Sequence, residues 1–131
     1  MMLKSEKTPE DYIREGSKFI TGVAFPDGPL RFSAELLYQR VILGLESLLY
    51  GQLMARGHQP YSHNAAGLAR EFQNLELADE LFCLNLVGFS KIQNMDSQRP
   101  SSETPFPLGV EEVQAQAKRI LEVLGQGCGI I

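Results

Sequence analysis

Apolar residues recur at intervals of three and four positions along most of the chain, the spacing that places them on one face of an α-helix. Capping signals mark where two of these segments begin. Thr8 precedes Pro9, which suits the first position of a helix, and Ser62 precedes the third segment. The pattern predicts five helices, over residues 9–24, 30–56, 63–74, 76–95 and 110–124.

The second predicted helix, from Leu30 to Arg56, is apolar around most of its circumference, which is typical of a helix at the centre of a bundle or between subunits. One side of it carries a stripe of four small residues, Gly44, Ser47, Gly51 and Ala55. Small side chains allow another backbone to approach closely, and each glycine inside a helix costs up to about 1 kcal/mol relative to alanine. The stripe therefore predicts close packing of a second helix, from the same subunit or from a dimer partner.

Two segments lack the helical pattern. Residues 97–109 are rich in proline and serine and are predicted to form a mobile loop, and residues 126–131 are predicted to form a flexible tail. No segment of more than four residues alternates as a half-buried strand would, and no repeat or domain linker is evident. The sequence thus predicts an all-α fold, in which residues 1–131 form a single domain built as an up-and-down bundle of five helices.

Composition narrows the possible classes of function. The 131 residues are 44% hydrophobic and carry a net charge of −4. This length and composition are typical of one ordinary globular domain. Because nucleic-acid surfaces are built from clustered positive charge, we expect no broad nucleic-acid surface, although a local basic pocket for one nucleotide is compatible with this charge. No apolar run of about 18 residues occurs, so no membrane span is predicted. The two cysteines, Cys83 and Cys128, do not make a disulfide framework, which favours the cytoplasm.

Motifs for metal or cofactor chemistry are weak. The two histidines, His58 and His63, lie across a turn from each other and far from either cysteine, so neither a metal site nor a cofactor is expected. Polar residues near the second and third helices, Arg40, Glu46, His63 and Asn64, allow two interpretations. In the first, they cap a helix end, form a salt bridge or lie on a solvated strip. In the second, they line a small pocket for a phosphate-bearing ligand, because the start of a helix favours an anion.

Four segments, at residues 38–50, 54–64 with its Ser62-His63-Asn64, 94–100 and 110–124, together resemble proteins of the HEPN-domain family. The resemblance implies an up-and-down helical bundle that commonly dimerises. Many members act as partners or substrate-binding modules of small nucleotidyltransferases, and others are ribonucleases. The ribonucleases share an Arg, a polar residue, four to six further residues and then a His.

That ribonuclease pattern fits this chain poorly. Arg99 has no His after it, and Arg56 with His63 fits the spacing only at a different helix junction, with Gly57 in place of the polar residue. We therefore expect a non-catalytic, dimeric module that binds a nucleotide or a nucleotidyltransferase partner. Its expected ligand-binding residues are Arg40, Glu46, His63, Asn64 and Arg99. Two alternatives are a metal-independent ribonuclease of toxin–antitoxin type that uses Arg56 and His63, and a purely structural dimerisation module.

Overall fold

The structure is a computed structural model that describes residues 8–28, 32–97 and 106–125, with the side chains of 93–97 and of residue 125 left aside. These residues form five α-helices and a closing π-helical turn, and none of them lies in a strand. The elements are α1 (Pro9–Ala24), α2 (Ala34–Ala55), α3 (Ala65–Asn74), α4 (Glu80–Ser97), α5 (Val110–Ile120) and the π-helical turn (Leu121–Gly125). The predicted all-α bundle is confirmed. No described helix is both long and apolar enough to cross a membrane.

Helix α1 has the predicted bounds because its start is specified locally. The Thr8 hydroxyl accepts a hydrogen bond from the backbone N–H of Asp11 at 3.1 Å, and the Asp11 carboxylate accepts one from the Thr8 N–H at 3.0 Å. This reciprocal capping satisfies two backbone donors that would otherwise lack a partner at the end of the helix. Pro9 occupies the first helical position, where its missing N–H is not needed.

Helix α2 is shorter than predicted. Its N-cap is Ser33, whose hydroxyl accepts a hydrogen bond from the N–H of Leu36 at 3.2 Å, so Phe32 precedes the helix although the prediction began at Leu30. The helix ends at Ala55, and Gly57 then adopts a left-handed backbone with a φ of 81°. A serine side chain that bonds a backbone N–H ends the helix at that residue, because it replaces the hydrogen bond that a further helical turn would make. The spacing of apolar residues does not indicate this boundary.

Helices α3 and α4 begin later than predicted. Asn64, and not Ser62, caps α3, because its side-chain oxygen accepts a hydrogen bond from the N–H of Gly67 at 2.8 Å. Helix α4 begins at Glu80 and not at residue 76, since the Asp79 carboxylate accepts the N–H of Phe82 at 3.2 Å. The predicted loop 97–109 lies mostly outside the described residues, as do the predicted tail 126–131, Arg99 and Cys128.

Helices α1 and α2 pack with their backbones in close contact. A Cβ atom built on Gly44 would lie 2.8 Å from the carbonyl oxygen of Gly16, and one built on Gly51 would lie 2.8 Å from the carbonyl oxygen of Pro9. Later residues of α2 thus meet earlier residues of α1, so the two helices run antiparallel. The glycines are required here because no side chain fits between the two backbones.

The stripe of small residues on α2 therefore packs against α1 of the same chain. Between its two glycines, the Ser47 hydroxyl donates a hydrogen bond to the carbonyl oxygen of Tyr12 at 2.8 Å, which fixes the seam at its centre. The fourth member, Ala55, is exposed and takes no part in the seam. The intramolecular alternative accounts for three of the four residues.

Helix α2 lies at the centre of the bundle and contacts α1, α3 and α5. Its apolar arc is fully buried, namely Leu37, Val41, Leu45, Leu48 and Leu49. Two buried polar groups tie it to other elements. The Tyr38 hydroxyl donates a hydrogen bond to the carbonyl oxygen of Phe89 in α4 at 2.7 Å, and the Gln52 amide donates one to the carbonyl oxygen of Leu124 at 2.8 Å.

Candidate functional site

The loop between α2 and α3 is held by one buried carboxylate, that of Glu71. Its oxygens accept hydrogen bonds from the backbone N–H groups of Tyr61 at 3.1 Å and Ser62 at 2.9 Å, and His58 Nε2 lies 2.9 Å from Oε1. Burial alone would raise the pKa of Glu71, but the hydrogen bonds from His58, Tyr61 and Ser62 outweigh it, and the pKa lies below its usual value. The ionised carboxylate thus fixes the path of the chain into α3.

This loop places His63 beside Tyr50. The imidazole of His63 stacks on the ring of Tyr50, with 6.3 Å between ring centroids and 20° between ring planes. Tyr50 in turn contacts the ring of Tyr12 in α1 at 5.0 Å. The Gln59 amide donates a hydrogen bond to the Tyr50 hydroxyl at 3.2 Å and steadies the central ring. The three rings, defined here as the ring row, follow one another across α1, α2 and the loop, and the plane of the Tyr12 ring is tilted by 50° from that of Tyr50.

Glu46 lies next to the ring row and is half-buried. Its Oε2 accepts a hydrogen bond from the backbone N–H of Ala65, the first residue of α3, at 3.2 Å. Burial raises the pKa of Glu46 above its usual value, and the hydrogen bond from Ala65 opposes this shift. Its other carboxylate oxygen, Oε1, has no hydrogen-bond partner among the described residues, so it is available to a ligand.

The ring row and Glu46 line one surface groove of about 510 Å³ between α1 and α2. The residues that line it are Tyr12, Glu15, Phe19, Leu43, Glu46, Ser47, Tyr50 and His63. Its volume is within the range of small-molecule sites. Flat aromatic surfaces beside carboxylate oxygens favour a planar ligand that donates hydrogen bonds, and they disfavour an anionic group inside the groove.

Arg40 lies outside this groove, contrary to the predicted ligand site. Its guanidinium stacks over the ring of Phe32 at 4.6 Å and lines a neighbouring cavity of about 400 Å³. The two cavities share Glu15 and Phe19, so Arg40 lies on the same face of the bundle as the groove, in the adjacent cavity. Lys18 lines the second cavity with it.

Asn64 also departs from its predicted role. Its side chain caps α3, and it lines a separate cavity with Arg70 and Lys91. Of the five predicted ligand residues, the structure brings only Glu46 and His63 into one groove. Arg99 lies outside the described residues.

Arg56 and His63, the pair of the ribonuclease alternative, do not line the same groove. Arg56 donates a hydrogen bond through its guanidinium to the carbonyl oxygen of Gln52 at 3.3 Å, and it is not among the residues that line the His63 groove. A general acid and a general base must both reach the same substrate. Within the described part of the chain, no cluster of three His, Cys, Asp or Glu side chains is placed to hold a metal ion.

Comparisons with protein-family models, curated proteins and solved structures find no match for this chain. The inference of function therefore depends on the groove itself and on the sequence resemblance described above.

Proposed function

We propose that the protein is a non-catalytic, HEPN-like helical module that binds the nucleoside part of a nucleotide in the groove between α1 and α2. One observation carries the proposal: three aromatic rings in a row lie beside the half-buried carboxylate of Glu46, whose Oε1 has no hydrogen-bond partner within the described ranges. A base that stacks on an aromatic side chain gains about 1–3 kcal/mol. A carboxylate can accept hydrogen bonds from ribose hydroxyls, as an acidic residue does in dinucleotide-binding folds.

Charge along the face supports an orientation for this ligand. Glu46 lines the groove but not the neighbouring cavity, and it repels a phosphate there. Glu15 lines both cavities, whereas the cations Lys18 and Arg40 line the neighbouring cavity but not the groove. The base and ribose thus fit the groove, and a 5′-phosphate extends toward Arg40. An arginine binds phosphate through charge-assisted and often bidentate hydrogen bonds.

The resemblance to HEPN-domain proteins extends the proposal in two respects. It suggests a small nucleotidyltransferase as the protein partner of the module, and it favours the cytoplasm as the location. The stacking of His63 on Tyr50 inside the groove supports a role for His63 in binding.

The test is isothermal titration calorimetry of the full chain with the common nucleosides and their 5′-monophosphates. We expect Tyr50→Leu to weaken nucleoside binding by about tenfold, since one stacking surface is lost. Glu46→Gln should also weaken it by about tenfold, because a hydrogen bond to a charged acceptor is replaced by one to a neutral acceptor. Tyr61→Leu and Glu10→Gln are matched controls at exposed positions outside the groove.

Arg40→Gln adds a test of orientation. It should weaken binding of the monophosphates and leave binding of the nucleosides unchanged. If no nucleoside or nucleotide produces heat at millimolar concentration, or if Tyr50→Leu and Glu46→Gln bind as the wild type does, the proposal is wrong.

A further inference from the structure

The groove between α1 and α2 combines aromatic rings with negative charge. Of the eight described residues that line it, four carry an aromatic ring and two carry a carboxylate, whereas none is a lysine or an arginine. The face of an aromatic ring carries partial negative charge and attracts a cation. The rings and the carboxylates of the groove therefore both favour a ligand with positive charge.

Cations of the chain itself cover aromatic rings outside the groove. The Arg40 guanidinium lies 4.6 Å from the centre of the Phe32 ring, and a lysine ammonium lies 5.6 Å from the centre of the Phe25 ring. Within the described part of the chain, no lysine or arginine lies over the rings of Phe19 and Tyr50, which line the groove. These two rings are therefore available to a cation that a ligand supplies.

Glu46 adds a full negative charge beside these rings. One of its oxygens accepts the hydrogen bond from the N–H of Ala65 at 3.2 Å, and the other has no hydrogen-bond partner among the residues that the structure describes. Because the side chain is half-buried, water screens its charge less than at an open surface. A cation that stacks on Tyr50 is thus attracted by the ring and by the carboxylate.

We propose that the groove selects nucleosides whose base is positively charged, such as 1-methyladenosine and nicotinamide riboside. In these bases the charge is delocalised over a flat ring, so a single group can both stack on an aromatic side chain and interact with a carboxylate. A neutral base gains only the stacking. This inference rests on the proposed nucleoside-binding function and names the class of nucleoside that the groove prefers.

The test is isothermal titration calorimetry of the full chain at neutral pH with two pairs of nucleosides. 1-Methyladenosine and N6-methyladenosine are isomers, but only the first carries a positive charge on its base at this pH. Nicotinamide riboside is positively charged, whereas its reduced form is neutral and has nearly the same shape. We expect the charged member of each pair to bind about tenfold more tightly than the neutral member.

A protein variant and a change of salt concentration test the origin of this preference. Glu46→Gln removes the charge and keeps an oxygen that can accept the N–H of Ala65, so the preference should fall from about tenfold to about threefold. Glu10→Gln, at an exposed position outside the groove, is the matched control and should keep the full preference. High salt should also reduce the preference and leave the affinity for the neutral members almost unchanged, because salt screens charge but not stacking.

Four results would overturn the inference. If both members of each pair bind equally, the selection of charged bases is wrong while the nucleoside-binding function stands. If no nucleoside binds, that function fails and the inference fails with it. An undiminished preference in folded Glu46→Gln would refute the role of the carboxylate. Finally, if tetramethylammonium binds as tightly as nicotinamide riboside, the groove recognises any organic cation and not a nucleoside.

Discussion

The contact between the backbones of α1 and α2 makes a quantitative prediction for Gly16→Ala. A Cβ atom at position 16 would meet the carbonyl oxygen of Gly44 and would lie 2.6 Å from the backbone nitrogen of Leu48. Both neighbours are backbone atoms, so no side-chain rotation relieves the contact, and the helices must separate. Gly88 offers the matched control, because it is exposed in the middle of α4 and a Cβ atom there meets nothing within 4 Å.

Two opposing terms set the expected size of the effect. Alanine in a helix interior gains about 1 kcal/mol over glycine. Forcing one extra carbon into a packed interior costs about 1–3 kcal/mol, and more when only backbone can move. We expect Gly16→Ala to lose about 2 kcal/mol of unfolding free energy, and Gly88→Ala to gain up to about 1 kcal/mol. For a chain of this size, each kcal/mol shifts the midpoint of thermal unfolding by roughly 4 °C.

The assay is urea unfolding followed by circular dichroism at fixed protein concentration, since association of the chains would shift the midpoint. The two variants should move in opposite directions from the wild type. If Gly16→Ala is as stable as Gly88→Ala, the helices do not approach as closely as the structure places them. The argument for antiparallel α1–α2 packing through glycines is then refuted.

Three further predictions follow from buried polar groups. Glu71→Gln should cost about 2 kcal/mol in urea unfolding at neutral pH, because charged hydrogen bonds to the loop are lost. Hydrogen bonding outweighs burial and lowers the pKa of Glu71 in the folded state below its usual value of 4.5. The ionised carboxylate therefore stabilises the fold above pH 4.5, and this stabilisation disappears as the pH falls through the lowered pKa. The unfolding free energy of Glu71→Gln should lack this dependence on acid. Tyr38→Phe should cost about 1 kcal/mol by thermal unfolding through loss of the hydrogen bond to Phe89, and an unchanged midpoint would contradict that bond. In a Cys128→Ser background, Cys83 should react with a thiol reagent only as fast as the fold opens, because its side chain is fully buried, and burial also raises the pKa of the thiol; reaction at the rate of a free thiol would refute its burial.

Local signals in the sequence were sufficient to predict that the helices exist, but they did not predict all of the residues at which the helices begin and end. The start of α1 was predicted correctly, since Thr8 and Pro9 act within one turn. At α3, both Ser62 and Asn64 are capable caps, and a distant residue decides between them. Glu71 accepts hydrogen bonds from both the backbone N–H and the side chain of Ser62, which engages the Ser62 side chain in the loop, and Asn64 caps the helix.

The groove was predicted only in part, for a related reason. Glu46 and His63 were candidates because polar groups near a helix start are conspicuous in an apolar context. Tyr12 and Tyr50 carry no such signal, since they lie on different helices and meet only because glycines bring α1 and α2 together. Glu71 was detectable in principle, because it is an ionisable residue on the same helical face as Leu68 and Phe72.

The antiparallel pairing of α1 and α2 also bears on the order in which the chain folds. The two helices are consecutive in sequence, so their contacts close a short loop and form at a smaller entropic cost than contacts between distant segments. We expect the α1–α2 hairpin to form before α5 docks on it, with conservative truncations at the hairpin seam slowing refolding and truncations in α5 mainly accelerating unfolding. Because α1 and α2 carry most of the groove, its outline would then exist early in folding, before the last helix is in place.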